Sequence, residues 1–209
     1  MKVETPAFAE FAGILLGDGH MARYQITRPD GRIQIKNTVK VTLDSREKQY
    51  AHYVKDLMTD LFGRSPKIEK RPCENTVDVR FTDMHILQFL QNVGFVLAPK
   101  WKRAIIPPQF ITPKLELLVV RGYFDTDGSV VITNNNGTIY PRLEMKISPS
   151  PMQAQFIDML KRHNFHFGIY QIGKGKVRIQ LNGKEQLKKW NKEIGFSNDR
   201  HSEKAKKFL

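Results

Sequence analysis

The sequence contains a single cysteine, Cys73, among 209 residues. One thiol excludes an internal disulfide and any zinc site built from several cysteines, and it fits a reducing compartment. Long hydrophobic runs are missing too. No stretch approaches the roughly 18 consecutive apolar residues of a membrane-spanning helix, and Met1-Lys2-Val3-Glu4 lacks the apolar core of a signal peptide. Acids are scarce relative to bases: 21 Asp and Glu stand against 34 Lys and Arg, a net charge of +13. Such an excess asks for a polyanionic partner, and without a membrane segment the partner is nucleic acid rather than a membrane. Hydrophobic residues at 40% and charged residues at 26% exclude a disordered chain.

What is present is organised around two stretches, Phe11-Ala12-Gly13-Ile14-Leu15-Leu16-Gly17-Asp18-Gly19 and Val120-Arg121-Gly122-Tyr123-Phe124-Asp125-Thr126-Asp127-Gly128. Each is an apolar helical run with small residues four apart, Gly13 and Gly17 in one, Gly122 and Thr126 in the other. Small residues at i and i+4 share a helix face and let a second helix approach closely, and the obvious partner is the other copy. Thr5-Pro6 and Thr112-Pro113 each read as an N-cap followed by proline at the first helical position. Gly19 and Gly128 fit left-handed residues closing the helices.

This arrangement sets Asp18 and Asp127 side by side at two helix C-termini. That end of a helix carries partial negative charge, so each acid there costs ~0.3–1 kcal/mol, and the pair adds mutual repulsion. A bound divalent cation reverses the sign, because Mg²⁺ takes carboxylate and phosphate oxygens. The pattern points to a metal site acting on phosphodiesters.

The remaining chain alternates in step with the two stretches. Gly19 to Thr27 reads as a strand, Arg28 to Gly31 as a turn. In the next strand Ile33, Ile35, Val39, Val41 and Leu43 oppose Gln34, Lys36, Thr38, Lys40 and Thr42. Asp44-Ser45-Arg46-Glu47 has the form of a capping box before a helix with Tyr50, Val54, Leu57 and Leu61. Residues 67–71 and 76–81 read as a hairpin, followed by a helix over 83–93 that stops at Gly94. A proline-punctuated basic linker spans 99–111. The second half repeats the order, with a hairpin turn at Asn134-Asn135-Asn136-Gly137, a helix from Ser150, a hairpin around Gly173-Lys174-Gly175 and a helix ending at Gly195. Asp18 and Asp127 lie 109 positions apart and the Gly94-Phe95 and Gly195-Phe196 pairs 101 apart. Offsets so close, with matching element order, indicate an internal duplication. The expected organisation is a first repeat over 1–98, a linker over 99–111 and a second repeat over 112–209, in an α+β fold of two αββαββα units.

Both stretches resemble the signature of the LAGLIDADG homing endonucleases, the second more literally, through Gly122, Asp125, Asp127 and Gly128. Leu16 stands where the motif has its first acid. The resemblance covers nearly the whole chain and implies a monomer that mimics a dimer, with two antiparallel sheets forming a saddle on double-stranded DNA. It implies Mg²⁺-dependent hydrolysis of both strands of a long, rare target, with Mn²⁺ or Ca²⁺ able to replace Mg²⁺ in binding. Asp18 and Asp127 would be the metal ligands and catalytic acids, assisted by the main-chain carbonyls of Gly17 and Thr126. A basic residue helps each centre in the family. Lys100 and the Arg200-His201 pair are the positional counterparts, with Lys102 and Lys204 as rivals, and Lys100 is taken as catalytic. The polar group that the family carries near the end of the second strand has no clear counterpart among Leu43, Asp44, Ile147 and Ser148.

A duplex-reading saddle draws base contacts and phosphate contacts from polar and basic strand residues. In the first repeat the candidates are Arg23, Gln25, Arg28, Arg32, Gln34, Lys36, Thr38 and Lys40, with Lys67, Arg71 and Arg80 from the second hairpin. In the second repeat they are Asn134, Arg142, Lys146, Lys174, Lys176, Arg178 and Gln180. His163-Asn164-Phe165-His166 has the letters of an HNH nuclease without its frame and reads as loop and strand. Trp101 and Trp190 read as packing residues. Other functions on the same scaffold are assisting the splicing of a host intron RNA and non-catalytic DNA binding; retention of both acids favours the nuclease. The expected location is the cytoplasm of a prokaryote or an organelle matrix.

Overall fold

The structure, a computed structural model, describes residues 2–209, the side chain of Asn135 excepted. Met1, where the reading of an absent signal peptide begins, lies outside the described residues. The first repeat runs α1 (Pro6–Leu16), β1 (Gly19–Thr27), β2 (Ile33–Asp44), α2 (Lys48–Phe62), β3 (Lys67–Lys70), β4 (Thr76–Thr82) and α3 (Met84–Val93). The second runs α4 (Glu116–Asp127), β5 (Gly128–Asn135), β6 (Thr138–Ile147), α5 (Met152–Arg162), β7 (Gly168–Gln171), β8 (Val177–Asn182) and α6 (Gly183–Glu193). Each repeat forms a four-stranded antiparallel sheet of the same order, β1-β2-β4-β3 and β5-β6-β8-β7. One further helix, α7 (Asp199–Lys206), closes the chain and was not anticipated. No described helix is long and apolar enough to cross a membrane.

The two repeats meet through α1 and α4, and glycine makes the meeting possible. A Cβ on Gly13 would sit 2.6 Å from the Tyr123 amide nitrogen and still closer to the Val119 carbonyl; one on Gly122 would sit 3.0 Å from the Ile14 nitrogen. Both helices are therefore buried nearly all round, Phe8, Phe11, Ile14, Val119, Val120 and Phe124 having no exposed surface. Thr5 caps α1 as expected, its hydroxyl accepting the Phe8 amide at 3.2 Å with Pro6 in the first turn.

Several local expectations are corrected. Gly19 and Gly128 are not left-handed; Gly128 is extended at φ −94°. They are glycine because a side chain would strike the preceding helix: a Cβ on Gly19 would lie 2.5 Å from the Leu15 Cα, and one on Gly128 2.5 Å from the Phe124 ring. At the start of α4 the Thr112 carbonyl accepts the Glu116 amide at 2.9 Å, but no side chain caps the helix. Asp44 does not cap α2 either. It binds the Arg46 guanidinium instead, with Oδ2 2.6 Å from Nη2, and Glu47 occupies the cap position.

Continuous register in the sheets assigns each residue to a face. Met21, Val39, Val41, Val79, Val130, Leu143, Met145 and Ile179 pack on the helices. The opposite faces carry Lys36, Lys40, Asp78 and Arg80 in one sheet and Arg142, Glu144, Lys146 and Arg178 in the other. The β1–β2 hairpin overhangs the helices, so Ile33 and Ile35, although on the apolar side, are exposed at 68% and 46%.

Candidate functional site

Asp127 ends α4 and Asp18 follows α1 by two residues, so the helix crossing that glycine permits also brings the acids together. Gly17 is part of the same fit: a Cβ there would lie 3.2 Å from Thr126 Cβ, closer still to its hydroxyl, and 3.4 Å from Asp127 Oδ2. The Thr126 hydroxyl turns back to the Tyr123 carbonyl at 3.0 Å, leaving the acids to face the surface. Burial first, and the Asp127 charge second, push the Asp18 carboxyl up to about 7. Burial also raises Asp127, against the opposing pull of Lys100 and a hydrogen bond from Tyr123.

Lys100 comes from the segment between the repeats and reaches the C-terminus of α1. Its Nζ donates to the carbonyls of Leu15 at 3.2 Å, Leu16 at 2.7 Å and Gly17 at 2.5 Å. These are acceptors that a helix end leaves unpaired, and an ammonium there suits the helix dipole. Burial lowers the Lys100 amine to about 8 even though both acids oppose the shift. The sequence counterpart in the second half behaves differently. His201 is 1% exposed, lies against the Phe124 and Phe196 rings, and is held down to about 3 chiefly by burial. Arg200 binds Glu47 at 3.0 Å and lends some positive charge to Asp18. The two ends of the acid pair are thus furnished unequally.

The donor set fits a hard divalent cation. Two carboxylates converge with backbone carbonyls, all oxygen donors, and the raised proton affinity of both acids marks a place where added positive charge is stabilising. Gly17 keeps a second carbonyl lone pair beside its bond to Lys100. Among the described residues no cluster of three or more His, Cys, Asp or Glu side chains could hold a metal.

The polar sheet faces hold part of the expected interface. Lys36, Lys67, Lys146 and Lys174 are exposed or half-exposed, and Lys176 lies over the Trp101 ring at 5.6 Å. Trp101 is 39% exposed, contrary to a pure packing role, while Trp190 is fully buried. Five expected DNA-contacting groups sit elsewhere or are closed off. Arg23 and Gln25 pair with Asn37 and Ile35, which puts them on the helix-side face of the overhanging hairpin. Asn134 pairs with Ile139 on that same kind of face and spends its Oδ1 on the Gly137 amide at 3.0 Å. Thr38 is 4% exposed, and Gln180, 9% exposed, donates to Asn182 at 2.8 Å. Near the middle of each sheet the cations are tied to acids: Lys40 to Asp78 at 2.7 Å, Arg142 to Glu144 at 2.6 Å, Arg80 to Glu69 at 2.6 Å, with Arg178 at 3.8 Å from Glu144. Arg71 binds Glu74 at 2.7 Å; at the hairpin tip Arg32 binds Asp30 at 3.2 Å and Arg28 donates to Gln34 at 3.1 Å.

Sequence reasoning missed a buried polar seam beside the acids. Asp125 accepts the Ser197 amide at 2.8 Å, and its carbonyl accepts from Asn198 at 3.0 Å. Glu10 binds Tyr53 at 2.8 Å, Ser197 at 2.6 Å and the Arg121 guanidinium. This seam ties the chain end to both motif helices. An acid inside the apolar run of α1, Glu10, was the one available signal.

A comparison with curated protein sequences finds no match. Among solved structures, the chain resembles the I-LtrWI LAGLIDADG homing endonuclease bound to target DNA (TM-score 0.65, 9% identity, covering 96% of this chain and 87% of that one). It resembles I-SmaMI bound to uncleaved DNA in the presence of calcium ions (TM-score 0.64, 9% identity, 95% and 87%). It also resembles I-DmoI in complex with DNA and Mn (TM-score 0.63, 14% identity, 94% and 99%). The sequence profile of the LAGLIDADG DNA endonuclease family matches residues 10–189, and with the acid pair at the crossing of two glycine-spaced helices, the chain belongs to that family.

Proposed function

We propose that the protein is a metal-dependent DNA endonuclease that cuts both strands of a long duplex target, one strand from each side of the α1–α4 crossing. The observation that carries this is the convergence of Asp18 and Asp127 at a two-fold-related pair of helix ends, between two sheets whose polar faces bear exposed lysines. A sequence selected for stability alone would not place two acids together at these helix ends.

Asp18 and Asp127, with the Gly17 and Thr126 carbonyls, would hold divalent cations, Mg²⁺ in the cell. A cation so held supplies positive charge to the attacking and leaving oxygens of the phosphodiester. Lys100, anchored on three α1 carbonyls, sets a further positive charge beside the scissile phosphate without moving when the duplex arrives. Lys36, Lys67, Lys146, Lys174 and Lys176 would neutralise flanking phosphates, and the internal pseudo-symmetry lets one chain span both half-sites.

The test is a cleavage selection on a randomised duplex library with Mg²⁺, run beside Asp127→Asn. A long consensus cut on both strands by the wild type, bound but left whole by the variant, is the expected result. Cutting by Asp127→Asn would remove the metal assignment. Tight binding to a structured RNA with no duplex cutting would overturn the reading as a whole.

A further inference from the structure

The register of β1 leaves an apolar row on the face assigned to the duplex. Ala22, Tyr24 and Ile26 pair with Thr38, Lys36 and Gln34, the residues of β2's polar face. None of the three packs in the core, and Tyr24 is 43% exposed. Sequence reasoning had assigned this strand's contacts to Arg23 and Gln25, which point the other way. Beyond His20, which shares this face next to the acids, the outward row contains no hydrogen-bonding group except the Tyr24 hydroxyl.

A duplex offers one apolar group to such a row. In the major groove, which admits a two-stranded ribbon, the C5-methyl of thymine is the one hydrocarbon on a base edge, and small or apolar side chains contact it. The neighbouring strand complements this. Gln34 stands directly across from Ile26, and an amide that reaches adenine N6 and N7 reads the partner of that same thymine. We propose that β1 is a thymine-reading strand, with Tyr24 and Ile26 contacting thymine methyls and Gln34 reading the paired adenine.

The position of those base pairs follows from strand geometry. β1 leaves the acid pair at Gly19, so at about 3.3 Å per residue Tyr24 lies ~17 Å and Ile26 ~23 Å from the centre. With base pairs about 3.4 Å apart, they meet positions roughly five and seven pairs out in one half-site. The second repeat does not copy the row. On the corresponding face β5 carries Ser129, Val131 and Thr133, across from Glu144, Arg142 and Tyr140, with no large apolar side chain matching Tyr24 or Ile26, so the preference is strongest in the half-site read by the first repeat.

This inference rests on the duplex-DNA reading above and is tested by binding, which separates the two. The target recovered by selection is compared with the same duplex carrying deoxyuridine for thymine, which removes only the methyl groups, by gel shift of the full chain in EDTA. Each methyl lost near positions five to seven should weaken binding about fourfold. Deoxyuridine in the outer part of the other half-site should change affinity less. Ile26→Ala and Tyr24→Ala, both at an overhanging hairpin, should bind the thymine and deoxyuridine duplexes equally. A selected half-site without thymine at these positions, or equal affinity of the wild type for both duplexes, overturns the thymine reading and leaves the endonuclease standing. Failure to bind any duplex overturns both.

Discussion

Gly13 stands against Tyr123 so closely that a single added carbon would lie 2.6 Å from the Tyr123 amide nitrogen. The atoms opposing that carbon are backbone of α4, which cannot swing aside as a flexible side chain would. Gly13→Ala should therefore behave as an overpacking substitution and cost ~1–3 kcal/mol. In a protein of this size that is a fall in Tm of about 2–4 °C per kcal/mol. Calorimetry in the absence of DNA measures it, and an unchanged Tm would mean that the helix crossing does not depend on the missing side chain.

The acid pair makes metal-free stability depend on pH. Asp18 titrates at about 7 in the folded chain, against 3.8 for an unburied carboxyl, because it is desolvated and faces Asp127. A folded-state pKa above the unfolded one means the folded protein binds more protons between those values, so stability falls as pH rises from about 4 to 7. Asp18→Asn removes the share that Asp18 contributes, while Asp127 and Asp125, also raised by burial, stay in both proteins. In EDTA the variant should melt with the wild type near pH 4 and above it by a few degrees at pH 8, with Mg²⁺ reversing the order. His201, held neutral by burial, has the opposite sign, but it is present in both proteins and cancels in the difference.

Most of this architecture was legible because it is written in local pattern: Gly13 with Gly17, Asp-Gly twice, a polar and an apolar side to β2. What escaped depends on distant partners. β1 has no clean alternation, so its outward face could not be read until Met21 was seen buried against Val39. Lys40 looked free because Asp78, 38 residues on, neutralises it only after the sheet forms. Helix α7 has a polar sequence, and what holds it is the burial of His201 and Ala205 and the bond from Asn198 to the Asp125 carbonyl, 73 residues away. Lys100 is the converse case. The family resemblance suggested it as a positional counterpart, and three carbonyl bonds place its ammonium at the end of α1.

Those bonds also set what Lys100→Met should do. The substitution keeps much of the volume and removes the charge, so the α1 carbonyls lose their donor while the sheets are untouched. Cleavage should fall by roughly 10²-fold or more, the scale for removing one preorganised charge from a reaction centre. Duplex affinity should change little. Single-turnover rates beside gel shifts distinguish this from a binding defect, and an unchanged rate would remove Lys100 from the site.

The sheet cations divide into two groups, and salt separates them. Among the described residues Lys36 and Lys146 have no acid partner, whereas Lys40 is locked to Asp78 at 2.7 Å with Thr42 on the other carboxylate oxygen. A lysine that neutralises a phosphate releases a counterion, so six or more such contacts should weaken binding by ~10³ or more between 50 and 200 mM salt. Lys36→Ala and Lys146→Ala should each flatten the log–log slope by about one. Lys40→Met should leave the slope alone and lower Tm instead, because it strands Asp78 in a largely buried position without its counter-charge. A Lys40 variant that flattened the slope as Lys36 does would mean that its ion pair opens to the phosphate when the duplex binds.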